Sequence, residues 1–164
     1  MSSTTQENQG QEGTQIQCLL FYLKDEIYAI EALLTSEIVE YSHIAKVPMM
    51  ASYVKGVTNI RGNIVAVIDL ADRFKFGESK IGQKTSIVVL HYTGDDKVSE
   101  MGIIIDEVYE VDDISIADLR DVPEFGTKIH KRFISKMAKY KGEYIPILNT
   151  QAILNTKELA QAIG

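Results

Sequence analysis

From Ile16 to Leu148 short apolar stretches rich in Ile, Val, Leu and Tyr alternate with polar punctuation, as at Lys24-Asp25-Glu26, Thr93-Gly94-Asp95-Asp96-Lys97 and Lys141-Gly142-Glu143. Stretches of this length and composition between turn-forming residues predict strands. They fall at residues 17–23, 27–32, 37–41, 56–60, 63–68, 85–92, 99–106, 107–114, 132–140 and 143–148. Helical spacing is confined to two segments, 69–76 with Leu70 and Phe74, and 150–163 with Ile153, Leu154, Leu159 and Ile163. Asp69 and Asn149 or Thr150 are the residues that cap them. Residues 1–15 hold Ser, Thr, Gln, Glu and Gly with no apolar residue after Met1, a composition that predicts a disordered tail. Many closely spaced strands without a helix between each pair argue for antiparallel β-barrels over a βαβ sheet.

The chain also resembles itself. Arg61-Gly62-Asn63-Ile64-Val65-Ala66-Val67-Ile68-Asp69-Leu70, followed by residues 71–74, aligns with Lys141-Gly142-Glu143-Tyr144-Ile145-Pro146-Ile147-Leu148-Asn149-Thr150, followed by 151–154, at an offset of 80. Each copy is a basic residue and Gly at a turn, an apolar strand, an Asp or Asn cap and a short amphipathic segment. Earlier, residues 19–23 with 27–30 are echoed by 87–92 with 102–105. Two similar β subdomains follow, about 16–80 and 81–148, with a boundary near residues 77–84 and a C-terminal helix over about 150–163.

Composition narrows the function. Of 164 residues, 45% are hydrophobic and 24% charged, with 17 Lys+Arg against 23 Asp+Glu and a net charge of -6. An acidic chain of this kind is unsuited to nucleic acid. The apolar run 18–23 is six residues long, against about 20 for a membrane span, so a cytoplasmic location without direct membrane insertion is expected. Cys18 stands alone and reads as a core residue rather than a disulfide partner or zinc ligand. Residues 95–124 carry 11 acids and 128–141 six bases, which suggests two faces of opposite charge, read first as solvated loops and alternatively as surfaces complementary to protein partners. Phosphate-binding glycine loops, the HExxH zinc motif and the GxSxG elbow are missing from the sequence. His43, His91 and His130 are scattered, and the pairs Asp95-Asp96 and Asp112-Asp113 read as solvated acids, so neither a catalytic site nor a cofactor or metal site is expected. Asp69 ends an apolar strand as a phospho-accepting aspartate does, but the acidic pair and alternating helices of such a domain are missing, and a capping role fits better.

The most informative stretch is 53–70. Asn59 and Gly62 bracket a tight turn, Gly62 can take a positive φ, and Arg61 is displayed at the tip. A guanidinium there grips a carboxylate or recognises a partner, and Glu37 is the candidate mate. Gly56-Val57-Thr58-Asn59-Ile60-Arg61-Gly62 with its apolar strand and Asp69-Leu70, Tyr28-Ala29-Ile30 and Glu37-Ile38 before it, and Gly102-Ile103-Ile104-Ile105-Asp106 after it closely resemble the CheW family of chemotaxis coupling proteins. The resemblance runs from about Ile16 to the C-terminus. It implies two five-stranded SH3-like β-barrel subdomains and a non-enzymatic scaffold that couples chemoreceptor tips to the histidine kinase CheA at membrane-associated receptor arrays. By the same resemblance Glu37, Asn59, Arg61 and Gly62 belong to a receptor-binding groove, and Gly56, Val57 and Ile64 to a kinase-binding surface. Thr35 and Ser36 depart from the longer or apolar residues the family often has there, and Ala66 replaces a common Pro that the second copy keeps as Pro146. An adaptor of another kinase pathway, such as pilus motility, shares these residues, and a small-ligand sensing barrel is the further alternative.

Overall fold

The computed structural model describes residues 14–94 and 97–159. All the expected strands are present: β1 (Gln15–Leu23), β2 (Glu26–Glu31), β3 (Thr35–Glu40), β4 (Val54–Ile60), β5 (Asn63–Asp69), β6 (Ser86–Gly94), β7 (Lys97–Ile105), β8 (Glu107–Ser115), β10 (Ile134–Tyr140) and β11 (Glu143–Leu148). The unexpected one, β9 (Leu119–Arg120), is too short to show a period. Of the expected tail, Thr14 and Gln15 lie within the described residues and are held: the Thr14 carbonyl accepts from Ile116 N–H at 2.7 Å, and Gln15 stands opposite Ser115 in β1 and β8. The Asp95-Asp96 pair lies outside the described residues.

Two capped helices follow the equivalent strands β5 and β11. In α1 (Leu70–Arg73) the Asp69 side chain accepts from Asp72 N–H, and in α2 (Thr150–Ile153) Asn149 accepts from Ala152 N–H. Among the described residues the C-terminal helix is present as two pieces. Asn155 interrupts it, its side-chain oxygen accepting from Lys157 N–H at 3.0 Å to start a new turn, α3 (Thr156–Leu159). Residues 160–163 of the expected helix lie outside the described residues. Asp69 also does more than cap: buried, it accepts from both the backbone and the hydroxyl of Ser79, at 2.9 and 2.6 Å, and so pins the connection to the second half.

The sheets are not confined to the two halves of the sequence. One has the order β8-β1-β2-β11-β10-β9, the other β3-β6-β7-β5-β4. The first two strands of each half pair with the last strands of the other, so the two halves exchange strands about an approximate two-fold axis. The register repeats too. Parallel pairs join Val67 to Gly102 and Ile147 to Ala29, and the bulge between Val54 and Gly56 recurs 80 residues on between Ile134 and Lys136.

This exchange explains the unbroken apolar runs in β1, β6 and β7, which are buried on both faces. Leu19, Phe21 and Leu23 join Val88, Leu90 and Ile103 in a core shared by the two subdomains. Cys18 and Leu20 face Ile145 and Ile147 inside one barrel, and Ile87 and Val89 face Val65 and Val67 inside the other. Both barrel interiors are therefore filled by side chains. Burial of the lone thiol, together with Glu31 and Asp113, pushes Cys18 up to about 12, which leaves it a neutral core residue.

The acidic and basic runs do not form two separate faces. They neutralise one another: the pairing of β9 with β10 brings Lys136 to Asp121 at 2.7 Å, and Lys131 lies 3.0 Å from Glu124 and Lys141 3.3 Å from Glu110. Exposed pairs of this kind contribute only about 0.2–1 kcal/mol each.

Candidate functional site: the β4–β5 hairpin and the strand beside it

Strands β4 and β5 pair from Val54↔Ile68 to Ile60↔Asn63, leaving Arg61 and Gly62 as a two-residue turn. Both have positive φ, 51° and 86°, as the turn type that matches strand twist requires. Gly62 adopts this freely, whereas a side chain at the first position costs on the order of 1 kcal/mol. Arginine there is thus not the choice that turn stability alone would make. Asn59 supports the turn from below, its Oδ1 accepting from Gly62 N–H at 2.9 Å.

The structure brings Arg61 and Glu37 together. Arg61 Nε lies 3.0 Å from Glu37 Oε2, with 80% of the arginine side chain exposed against 21% of the glutamate. The contact is an ion pair off the line of a hydrogen bond, so the buried Glu37 Oε2 has no hydrogen-bond partner, and neither has the buried Thr35 Oγ1 on the same strand. Register explains their shared direction: a bulge between Thr35 and Glu37 keeps alternate residues of β3 turned inward while Ser36, Ile38 and Glu40 face out. Glu37, Asn59, Arg61 and Gly62 therefore form one cluster at the end of a hairpin.

Gly56, Val57 and Ile64 divide differently. Val57 and Ile64 share the outer face of the hairpin, where Ile64 is 68% exposed. Gly56 faces inward: at φ 147° its missing Cβ would lie 2.0 Å from the Ala45 carbonyl oxygen, because Ala45 exchanges two backbone hydrogen bonds with Val57. That bridge brings the loop after β3 back onto β4, and Thr58 Oγ1 fastens it by donating to the His43 carbonyl at 2.8 Å.

Sequence reasoning missed Leu33. It is 92% exposed in the 3-10 turn Ala32–Leu34, which touches β1 of one sheet and β6 of the other, so it stands at the seam between the subdomains just ahead of Glu37. Its signal was the apolar triplet Ala32-Leu33-Leu34, one member more than a single turn can bury on one side. Also missed was Arg73, the repeat counterpart of Ile153 and hence a charge at a core position.

The family model described as CheW-like domain matches residues 17–158. The chain is 28% identical to chemotaxis protein CheW of Klebsiella aerogenes over 142 residues, 87% of this chain and 83% of that protein. It is 28% identical to chemotaxis protein CheW of Treponema pallidum over 145 residues, 88% and 85% of the two chains. The crystal structure of scaffolding protein TtCheW from Thermoanaerobacter tengcongensis superposes with a TM-score of 0.76 at 28% identity, covering 84% of this chain and 86% of that one. The fold and these likenesses agree, and the chain belongs to the CheW-like domain family.

Proposed function

We propose that this protein is a non-catalytic adaptor of chemotaxis signalling that couples chemoreceptor tips to a CheA-type histidine kinase. The observation that carries this reading is the hairpin tip, where an exposed arginine is held at a cost in a strained turn over a half-buried glutamate that it satisfies only in part. Recognition, not stability, explains such an arrangement. Leu33 at the seam and the outer face of Val57 and Ile64 add separate apolar surfaces, as a protein with two partners needs.

A helical receptor tip would lay an apolar stripe along the seam beside Leu33, with Arg61 and Glu37 reading its polar flank. The kinase would take the outer hairpin face. Single contacts of this size are weak, and an ordered array multiplies them through effective concentration. Recruitment to the membrane would then come through the receptors. Among the described residues no helix is long and apolar enough to cross a membrane.

The filled barrel interiors disfavour a small apolar ligand within either barrel. The test is capture from cell extract with the purified chain as bait, beside Arg61→Ala. Receptors and kinase should come down with the wild type, and receptors should be depleted at least about tenfold from the variant, while its unfolding free energy changes by less than about 1 kcal/mol. A variant that unfolds easily yet binds receptors normally when folded overturns this reading.

A further inference from the structure

A cleft of about 970 Å³ opens between Tyr53 and the end of α1 on one wall and residues 124–133 on the other. Arg73, Lys75, Lys128, Lys131 and Arg132 line it together with Asp72 and Glu124, Lys128 being paired with Glu26 and Lys131 with Glu124. At its base Arg73, 6% exposed, lies against the rings of Tyr53 and Phe133 at 4.4 and 4.8 Å. Its Nε donates to the Ile153 carbonyl at 3.0 Å, and its Nη2 to Ala152 O at 3.0 Å and to Glu158 Oε2 at 2.8 Å. Arg132 Nη1 donates to the other oxygen, Glu158 Oε1, at 2.5 Å.

One carboxylate thus spans two guanidiniums of the cleft lining, each oxygen on a different arginine. Two convergent arginines are the arrangement that recognises a planar or tetrahedral oxyanion. We propose that this cleft is a binding site for a small, multiply charged oxyanion, and that Glu158 is the resident anion such a ligand displaces. Two observations support the displacement. The Glu158 side chain is 21% exposed and Arg132 45%, so the outer half of the clasp is open to solvent. The Lys75 ammonium has neither a hydrogen bond nor an acid partner among the described residues, although the Lys75 backbone N–H donates to the Asp72 carbonyl, and a ligand larger than one carboxylate would recruit it. Hydrogen bonds from Arg132 and Arg73 hold the Glu158 carboxyl below its ordinary range, so the resident group is an anion when the ligand arrives. The proposal is independent of which proteins the adaptor joins.

The test is calorimetric titration of the full chain with pyrophosphate and, separately, citrate at low and at physiological salt. Saturable one-to-one binding is expected. Glu158→Gln removes the competing charge at nearly constant shape and should tighten binding at least about tenfold, and Arg132→Gln should weaken it as much. Lys75→Gln, outside the clasp, should weaken binding without changing the unfolding curve, and it decides the matter should Glu158→Gln fail to fold. Tighter pyrophosphate assigns a phosphate-bearing ligand, tighter citrate a polycarboxylate. No saturable heat with either probe, or equal affinity in every folded variant, overturns the proposal and leaves Glu158 as a structural clasp alone.

Discussion

The molecule contains its own control for the candidate site, because the fold builds the same hairpin twice. Lys141 and Gly142 make the second turn with φ of 49° and 84°, against 51° and 86° for Arg61 and Gly62. Glu110, opposite Leu20, is the counterpart of Glu37, opposite Val89, and Lys141 Nζ reaches it at 3.3 Å. A cation over a glutamate therefore belongs to the scaffold. What differs is everything around it. At the second tip the Tyr140 hydroxyl donates to Glu110 and Asp112, 2.5 and 3.0 Å away, and Lys141 donates to the Tyr109 hydroxyl at 3.0 Å while lying 5.3 Å from both tyrosine rings. At the first tip the three positions are Ser36, Ile60 and Val39, and Glu37 Oε2 is left without a hydrogen bond. One tip is closed on itself; the other keeps unspent capacity, and the proposed recognition role of the first tip rests on that asymmetry.

The largest expected effect lies at the bulge below the tips. Gly56 and Lys136 are counterparts, yet only the first faces a carbonyl, that of Ala45. Gly56→Ala combines backbone strain with a backbone clash and should cost about 3 kcal/mol or more in denaturant unfolding. Lys136→Ala removes an exposed ion pair with Asp121 and should cost less than about 1 kcal/mol. Similar losses at both positions would mean that the bridge to Ala45 does not distinguish the copies. Next comes Tyr140→Phe, which leaves Glu110 and Asp112 without their shared donor. A loss of about 1–2 kcal/mol, with partner capture unchanged, is the outcome a closed structural tip requires.

The strands were legible because each carries its own apolar pattern, and the repeat was legible because a turn, a strand and a cap recur in one order. Arg61 and Glu37 could be paired through the turn and the family resemblance. The exchange between halves was not legible. β1 and β6 present nearly the same apolar faces, so local patterning cannot say which half supplies the neighbour of either. The same long-range pairing decides the fate of the charged runs, since Lys136 finds Asp121 only once β9 lies against β10. Leu33 and the second tip's tyrosines were missed for a related reason: exposure at a seam, and convergence of residues from β8 and β10, exist only after the sheets have formed.

A smaller effect sharpens the comparison directly. Double-mutant cycles on Arg61 with Glu37 and on Lys141 with Glu110 should both give only weak coupling for folding, since the cation of each pair is exposed. Repeated with receptor capture as the readout, the first cycle should show coupling and the second none. Coupling to capture at both tips would make the second hairpin a recognition site as well, and would remove the reason for assigning the tyrosines a structural role.

The smallest effect is a difference in pH dependence. Hydrogen bonds to Tyr109 and then Glu110 raise Lys141 above its ordinary value of 10.5. A group whose folded pKa is raised contributes stability that is fully present below the unfolded value and is lost as pH rises through the folded one, so the loss begins near pH 10.5 and continues above it. Lys141→Arg gives the second tip the first tip's cation, and a guanidinium stays charged through that range. Stability curves of wild type and Lys141→Arg should therefore run parallel from neutral pH to about 10 and separate beyond it, the wild type falling faster. Curves that stay parallel to the alkaline limit would show that the charge of Lys141 is not coupled to folding, leaving the tyrosine hydroxyls and carboxylates to close the second tip without it.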